Sequence, residues 1–166
     1  MNETASNGKE PKILILATLS GGYAGADSVG QLHTDYASNV YILPVICPSM
    51  FPEEFYMGAF EKGIDAILIM YSGTDCPYLG GAERTAEISN RVYPLMKDRG
   101  IDPRRLRLSA ICTVCTKPFL KQVDEMNQLL RDIGPVCNEL ALQNAAPHSE
   151  TSHSEAPSQT VQGLGG

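Results

Sequence analysis

The segment ILILATLSGGYAGAD, residues 13–27, decides the fold of this chain. Its first six residues form an uninterrupted apolar run of strand length, which is typical of a strand covered on both faces of a sheet. A glycine-rich turn follows, and a helix is expected to begin near Ala24. Similar apolar runs at residues 40–47, 66–71 and 106–112 predict three more strands.

Helical patterns separate these runs. Proline and two acidic residues at 52–54 favour a helix start, because proline fits the first turn and acids suit its positive dipole end. A longer helix is predicted between residues 80 and 100, and Pro94 should kink or break it. The clearest amphipathic pattern predicts a helix over residues 116–133.

The alternation of strands and helices predicts a single α/β domain of the flavodoxin-like or Rossmann-like class over residues 11–137. We expect a four-stranded parallel sheet in the order 2-1-3-4, with right-handed crossovers. Residues 1–10 are polar and are expected to form a disordered leader. Residues 138–166 contain few large apolar side chains, so a flexible tail is expected there.

Charge and composition exclude several functions. The net charge of −6 argues against a nucleic-acid-binding surface, which requires clustered lysine and arginine. A cytoplasmic protein is predicted, because no apolar run is long enough to span a membrane and the N-terminus lacks a signal-peptide core. The sequence shows neither a Ser-His-Asp constellation nor paired carboxylates, so we do not expect it to catalyse a reaction alone.

One basic cluster stands out against this acidic background. It lies around a predicted turn and consists of Arg99, Arg104, Arg105 and Arg107. A solvated edge is the simpler interpretation, because charged side chains are mostly exposed. A docking patch for an acidic partner is the alternative.

Four cysteines are predicted to lie at one edge of the sheet. Cys47 ends the second apolar run, Cys76 follows the third, and Cys112 and Cys115 come at the end of the fourth. In open α/β sheets, sites form outside the carboxyl ends of the strands. The fifth cysteine, Cys137, lies beyond the last predicted helix and is interpreted as an incidental small apolar residue.

These four cysteines are candidate metal ligands, since disulfides are a poor default in a chain without an export signal. Neighbouring strands lie about 4.8 Å apart, so one zinc ion shared by all four would require the loops to lean inward. A two-iron cluster across Cys47 and Cys76 is geometrically easier. For Cys112 and Cys115, a buried structural pair and a redox-active dithiol are both open, since helix N-termini activate thiols.

Two glycine-rich turns form the predicted functional surface. Residues 20–27 follow the first strand, and residues 72–81 follow the third and should face them. A flavin or nucleotide site is one interpretation, because phosphates bind at such strand-to-helix turns. The simpler interpretation is a tight turn that requires glycine, since the sequence has neither a GxGxxG nor a Walker pattern.

Several short motifs together resemble a known family. They are Tyr23-Ala24-Gly25-Ala26-Asp27, Val45-Ile46-Cys47, Ala59-Phe60-Glu61-Lys62-Gly63 with Asp65, Gly73-x-Asp75-Cys76-x-Tyr78, Ala82-Glu83-Arg84, Gly100-Ile101-Asp102-Pro103 and Arg105-Leu106-Arg107-Leu108. In this order and spacing, over about residues 11–135, they are similar to the delta subunit of methyl-viologen-reducing hydrogenases.

The resemblance implies an iron–sulfur electron-transfer subunit that holds a two-iron, two-sulfur (2Fe–2S) cluster. Such a subunit passes electrons between a hydrogenase or formate dehydrogenase and the flavin-containing heterodisulfide reductase in the cytoplasm of anaerobes. The resemblance also implies that Cys47 and Cys76 are cluster ligands, because they stand at family positions. The implied partners are therefore hydrogenase or formate dehydrogenase subunits and a heterodisulfide reductase-like flavoprotein.

The sequence departs from the family pattern around the implied cluster. Family cysteines are replaced here by Ala17, Thr18, Gly21 and Tyr71. The two matching cysteines cannot by themselves hold a conventional all-cysteine cluster, which needs four thiolates. Cys112 and Cys115 lie outside the family pattern and are candidate replacement ligands.

Three functions follow from these observations. The first is an electron-transfer subunit with an altered cluster held by Cys47, Cys76 and, as candidates, Cys112 and Cys115. The second is a cluster-free docking or regulatory paralogue of that subunit. The third is a flavin- or nucleotide-binding module that uses the glycine-rich turns.

Overall fold

A computed structural model describes residues 10–112 and 116–145 of the chain. Residues 1–9 and 146–166, which include most of the expected leader and tail, lie outside the described residues. The elements follow in the order β1 (Ile13–Thr18), α1 (Gly22–Gln31), β2 (Val40–Val45), α2 (Glu53–Glu61), β3 (Ala66–Tyr71), α3 (Gly81–Asp98), β4 (Leu106–Ala110), α4 (Thr116–Ile133) and α5 (Val136–Ala145), with 3-10 turns at Pro48–Met50, Gly73–Asp75 and Pro103–Arg105.

The four strands form a parallel sheet in the order β2-β1-β3-β4, which confirms the predicted fold class and topology. Alternate residues of the central strand β1 serve two hydrophobic layers, because successive side chains point to opposite faces. Ile13 and Ile15 pack in the layer that contains α1 and α4. Leu16 packs in the layer that contains α2 and α3.

The two ends of the sheet differ from the sequence prediction. The run at 40–47 was expected to be covered on both faces, but Tyr41, Leu43 and Pro44 of β2 are exposed. β2 is an edge strand, and an apolar run alone does not reveal where a strand lies in its sheet. The strands at the two edges are also shorter than predicted, since β2 ends at Val45 and β4 at Ala110.

The helices differ from the sequence prediction in two places, at Pro94 and at α5. The helix α5 covers the first residues of the stretch that was expected to be a flexible tail. α4 spans the predicted residues 116–133, and its apolar face is buried against the sheet. α3 continues through Pro94, so the helix is not broken there. Proline has no N–H, so the Asn90 carbonyl lacks its helical hydrogen-bond donor. Because Pro94 and Asn90 are both exposed, water can bond this carbonyl instead. Among the described residues, no helix combines the length and apolarity that crossing a membrane requires.

A buried arginine joins the amino-terminal edge of the sheet to α5. The Arg105 side chain has no exposed surface. Its guanidinium donates to both carboxylate oxygens of Glu139, at 2.8 and 3.0 Å. It also donates to the main-chain carbonyls of Asp65, at 3.0 Å, and Gly134, at 2.8 Å. The expectation that the basic cluster is a solvated edge is therefore wrong for Arg105.

The other three arginines of that cluster do lie at the surface. Their partners are acidic side chains, in the pairs Arg99–Glu61, Arg104–Asp102 and Arg107–Glu125. Only Arg105 is turned inward, because Glu139 of α5 neutralises it there. Helix α5 overlaps the first residues of the expected tail. Because Glu139 lies in that stretch, the local composition does not reveal that it pairs with Arg105.

We predict that Glu139→Gln lowers the free energy of unfolding by about 3 kcal/mol, because it leaves the buried Arg105 charge without a carboxylate. Urea unfolding followed by circular dichroism measures this change. The matched control is Glu125→Gln, which removes the surface partner of Arg107 and should cost less than about 1 kcal/mol. Equal losses in the two variants would contradict a structural role for the buried pair.

Candidate functional site

Three loops at the carboxyl ends of the strands are joined into one surface. The Leu19 amide, just after β1, donates to the Val45 carbonyl at the end of β2, at 3.0 Å. The hydroxyls of Ser20 and Ser72 lie 3.0 Å apart and connect the β1 loop to the β3 loop. The two glycine-rich turns therefore face each other, as their sequence positions predict.

The first glycine-rich turn packs directly on the end of β3. A Cβ atom on Gly21 would lie 2.7 Å from the Ser72 amide nitrogen, and one on Gly22 would lie 2.5 Å from the Met70 carbonyl oxygen. Because the obstacles are backbone atoms, no side chain fits at either position without moving β3. This packing supports the interpretation of residues 20–27 as a tight turn that requires glycine.

Cys47 lies beside the beginning of α3. Its sulfur is 3.0 Å from the Ser49 hydroxyl and 3.8 Å from the Thr85 hydroxyl. Thr85 is buried in α3 and donates its hydroxyl hydrogen to the Gly81 carbonyl at 2.7 Å. These contacts connect the half-buried Cys47 thiol to the first turn of α3.

Cys76 reaches the same turn from the β3 loop. A Cβ atom on Gly81 would lie only 2.7 Å from the Cys76 sulfur. Gly81 and Thr85 are four residues apart, so they lie one above the other on one face of α3. The structure therefore brings Cys47 and Cys76 to neighbouring positions on the same helix face.

Thr18 contributes a buried polar atom at this edge of the sheet. Its side chain is 4% exposed, and its hydroxyl has no hydrogen-bond partner among the described residues. It follows Leu16 by two positions in β1, so it points into the layer of α2 and α3, where Cys47 contacts Thr85. Buried polar groups are normally satisfied, which makes this hydroxyl a candidate contact for a ligand or water.

Tyr56 positions the turn that follows Cys47. It is fully buried in α2 and donates its phenol hydrogen to the Pro48 carbonyl at 3.0 Å. Burial raises the pKa of Tyr56 above its ordinary value of 10.0, and the neighbouring Cys47 adds to the shift. Sequence analysis missed this role, since an aromatic residue in an apolar helix indicates only a core position.

The other cysteines do not join this pair among the described residues. Cys112 follows β4, is exposed and, contrary to the expectation from the sequence, is disulfide-bonded, so it presents no thiolate in this structure. Cys115 lies outside the described residues. Cys137 is an exposed free cysteine on α5, and its sulfur contacts the Asn138 side chain.

Among the described residues, the free thiols of Cys47 and Cys76 do not make up the donor set of a self-contained 2Fe–2S cluster. Such a cluster takes four thiolates, and Cys47 and Cys76 supply two. Within residues 10–112 and 116–145, no three His, Cys, Asp or Glu side chains come together as a metal site. At Gly21 and Thr18, where the resemblance implies cysteines, the structure has a closely packed backbone and a buried hydroxyl.

The fold and the candidate site together define an α/β domain that carries the thiols of Cys47 and Cys76 beyond the carboxyl ends of its parallel strands. The chain belongs to the family described as methyl-viologen-reducing hydrogenase, delta subunit, whose model matches residues 13–134. This match confirms the family indicated by the sequence motifs.

Relatives carry the same domain in two contexts. One subunit of the ferredoxin/F(420)H(2)-dependent CoB-CoM heterodisulfide reductase from Methanosarcina acetivorans is 28% identical over 77% of this chain, which covers only 16% of that relative. The iron-sulfur subunit of the F420-non-reducing hydrogenase from Archaeoglobus profundus is 28% identical over 76% of this chain and 93% of its own length. The corresponding vhu hydrogenase iron-sulfur subunit from Methanocaldococcus jannaschii is 25% identical, with 95% of its length covered.

We predict that Gly81→Ala displaces the Cys76 thiol. Alanine normally stabilises a helix relative to glycine, but here its methyl group would occupy the space next to the sulfur. Site-resolved mass spectrometry should show faster alkylation of Cys76 by iodoacetamide, with Cys137 as the internal reference. Gly58→Ala in α2 is the matched control, because no atom lies within 4 Å of its added Cβ. Unchanged alkylation in Gly81→Ala would contradict the close contact.

We also predict that Tyr56→Phe reduces the loss of stability at alkaline pH. Above pH 10 the unfolded chain releases the phenol proton more readily than the folded chain, so the free energy of unfolding falls as pH rises. Without the phenol this decline should be smaller, although the lost Pro48 hydrogen bond costs about 1 kcal/mol at neutral pH. Urea unfolding at pH values from about 7 to about 11 measures both effects. The exposed Tyr41→Phe is the control, and identical pH slopes in all three proteins would refute the assignment.

Proposed function

We propose that this chain belongs to an oxidoreductase complex of the hydrogenase–heterodisulfide reductase type, in which it docks on a partner that resembles the heterodisulfide reductase relative. One observation carries this proposal. The domain forms nearly a whole subunit in the Archaeoglobus profundus relative, whereas it is one segment of a much longer chain in the Methanosarcina acetivorans relative. Two units that share one polypeptide in a relative are expected to associate when they are separate chains.

The geometry of the chain supports a docking role. The carboxyl edge of the sheet is held together by hydrogen bonds between its loops, so it offers a preformed surface. A preformed surface lowers the ordering cost of association.

Iron–sulfur electron transfer is the second candidate function. It is favoured by the position of Cys47 and Cys76, which contact the same face of α3 at its first turn. A cluster would need two further ligands beyond this pair, from Cys115, from reduced Cys112 or from the partner. A flavin site has less support, because the glycines of the first turn are packed against β3.

The docking proposal is tested with the purified chain and one probe from the same organism. The probe is the homologue of the heterodisulfide reductase relative that lacks a delta-subunit segment of its own, and we call it the reductase probe. We expect a stable complex in size-exclusion chromatography. By biolayer interferometry we expect a dissociation constant in the micromolar range or tighter, which corresponds to a binding free energy of about −8 kcal/mol or a more negative value. No association at about 100 μM protein would refute the proposal.

The electron-transfer proposal is tested by iron and acid-labile sulfide analysis of protein purified without oxygen, together with its absorption spectrum. If the pair holds a cluster, about two irons and two sulfides per chain are expected, and Cys47→Ser and Cys76→Ser should each abolish them. Cys137→Ser is the matched control and should leave the content unchanged. A folded, iron-free protein, alone and in the complex, would refute a cluster and leave the docking role standing.

A further inference from the structure

Exposed apolar side chains surround the two cysteines. They are Leu19 after β1, Ile46 and Met50 after β2, and Tyr78 and Leu79 after β3. We call these five residues the apolar edge surface. Single exposed hydrophobic residues are normal on soluble proteins, but several on adjoining loops mark an interaction site.

The loops that carry the apolar edge surface are bonded to one another. The Leu19 amide is bonded to Val45, the residue before Ile46, and Ser20 is bonded to Ser72 of the loop that leads to Tyr78. The residues therefore come from three neighbouring strands of one sheet edge rather than from separate parts of the molecule.

Leu79 is held away from the protein by its own turn. The Gly81 amide donates to the Tyr78 carbonyl at 2.9 Å, which closes a turn with Leu79 and Gly80 at its corner. Gly80 has a φ angle of +69°, a conformation that suits glycine. Leu79 is 95% exposed at this corner. A hydrogen-bonded turn thus presents this leucine to solvent, where its side chain buries almost no apolar surface against the described chain.

Acidic side chains border the apolar edge surface. Asp75 in the loop after β3 and Glu83 in the first turn of α3 are exposed, together with the exposed Arg84. The border therefore carries a net negative charge. A partner that fits this surface has an apolar patch bordered by lysine or arginine, because complementary charge at a rim steers association.

We infer that the apolar edge surface is the docking site for the heterodisulfide reductase-like partner, through an apolar patch with a basic border on that partner. This inference rests on the proposed function and adds to it the surface that makes the contact. The occupant follows from the relative in which this domain is one segment of a heterodisulfide reductase chain. Docking at this edge also places Cys47 and Cys76 at the interface, where the partner can cover them.

The competing surface is the exposed side of β2, where Tyr41 and Leu43 form a free sheet edge. Such edges can pair with another strand. Tyr41 lies near the amino-terminal end of β2, opposite Leu14, whereas the apolar edge surface follows the carboxyl ends of the strands. Variants of Tyr41 therefore provide a direct comparison with variants of the apolar edge surface.

The test measures the dissociation constant of the full chain for the reductase probe by biolayer interferometry. The variants are Leu79→Ser and Met50→Ser, and the matched controls are Leu142→Ser on α5, where leucine is 73% exposed, and Tyr41→Ser on β2. All four side chains are exposed, so circular dichroism and the melting temperature should match the wild type. Leu79→Ser should weaken binding roughly tenfold or more, Met50→Ser should weaken it too, and the controls should stay within about twofold.

The outcomes distinguish a failure of the proposed docking surface from a failure of the proposed function. If the wild type binds and the loss is confined to Leu79→Ser and Met50→Ser, the apolar edge surface is the docking site. If the wild type binds and only Tyr41→Ser weakens binding, or no variant does, the surface is wrong and the proposed function stands. If the wild type does not bind, the proposed function fails and the inference fails with it. As a second readout, Glu83→Lys should lower the association rate, and this decrease should shrink as salt is added.

Discussion

The structure depends on two buried charged residues at the amino-terminal edge of the sheet. The Asp65 carboxylate accepts hydrogen bonds from the Lys12 amide before β1 and from the Val136 amide of α5, both at 2.8 Å. Arg105 then bonds the Asp65 carbonyl and Glu139 of α5. These contacts fix the starts of β1, β3 and β4 together with α5. Isolated buried charges are costly, so the set stabilises the fold only while every partner is present.

This arrangement leaves the opposite edge of the sheet free for function. The strands begin at the charged contacts and end at loops that carry Cys47, Cys76 and the apolar edge surface. α3 begins between the two cysteines, and its small first residue, Gly81, allows the Cys76 sulfur to approach. The buried charged contacts and the candidate functional surface therefore lie at opposite edges of one sheet, and sites in parallel α/β proteins usually form at the carboxyl ends of the strands.

Sequence patterns were sufficient to locate the four strands and helix α4, because strand-length apolar runs and 3.6-residue periodicity are local signals. The strand order is not a local signal, and its prediction rested on the flavodoxin-like class that the alternation of strands and helices suggested. The sequence patterns also placed Cys47 and Cys76 at the carboxyl edge of the sheet. They did not reveal that Arg105 is buried, since its partner Glu139 lies 34 residues away in a stretch whose composition is typical of a tail. Nor did they identify Tyr56 or the hydroxyl of Thr18, whose roles depend on three-dimensional neighbours. Polar residues that pair over a long sequence separation leave no periodic pattern in the sequence.

The backbone contact at Gly21 restricts which residues this position accepts. Any side chain at residue 21 meets the Ser72 main chain, which cannot give way like a flexible side chain. A single substitution to cysteine would first have to displace the end of β3, and the intermediate would lose stability before it gained a ligand. Position 21 is therefore closed to a cysteine side chain unless the end of β3 moves, and this limit is set by backbone packing rather than by the chemistry of a ligand.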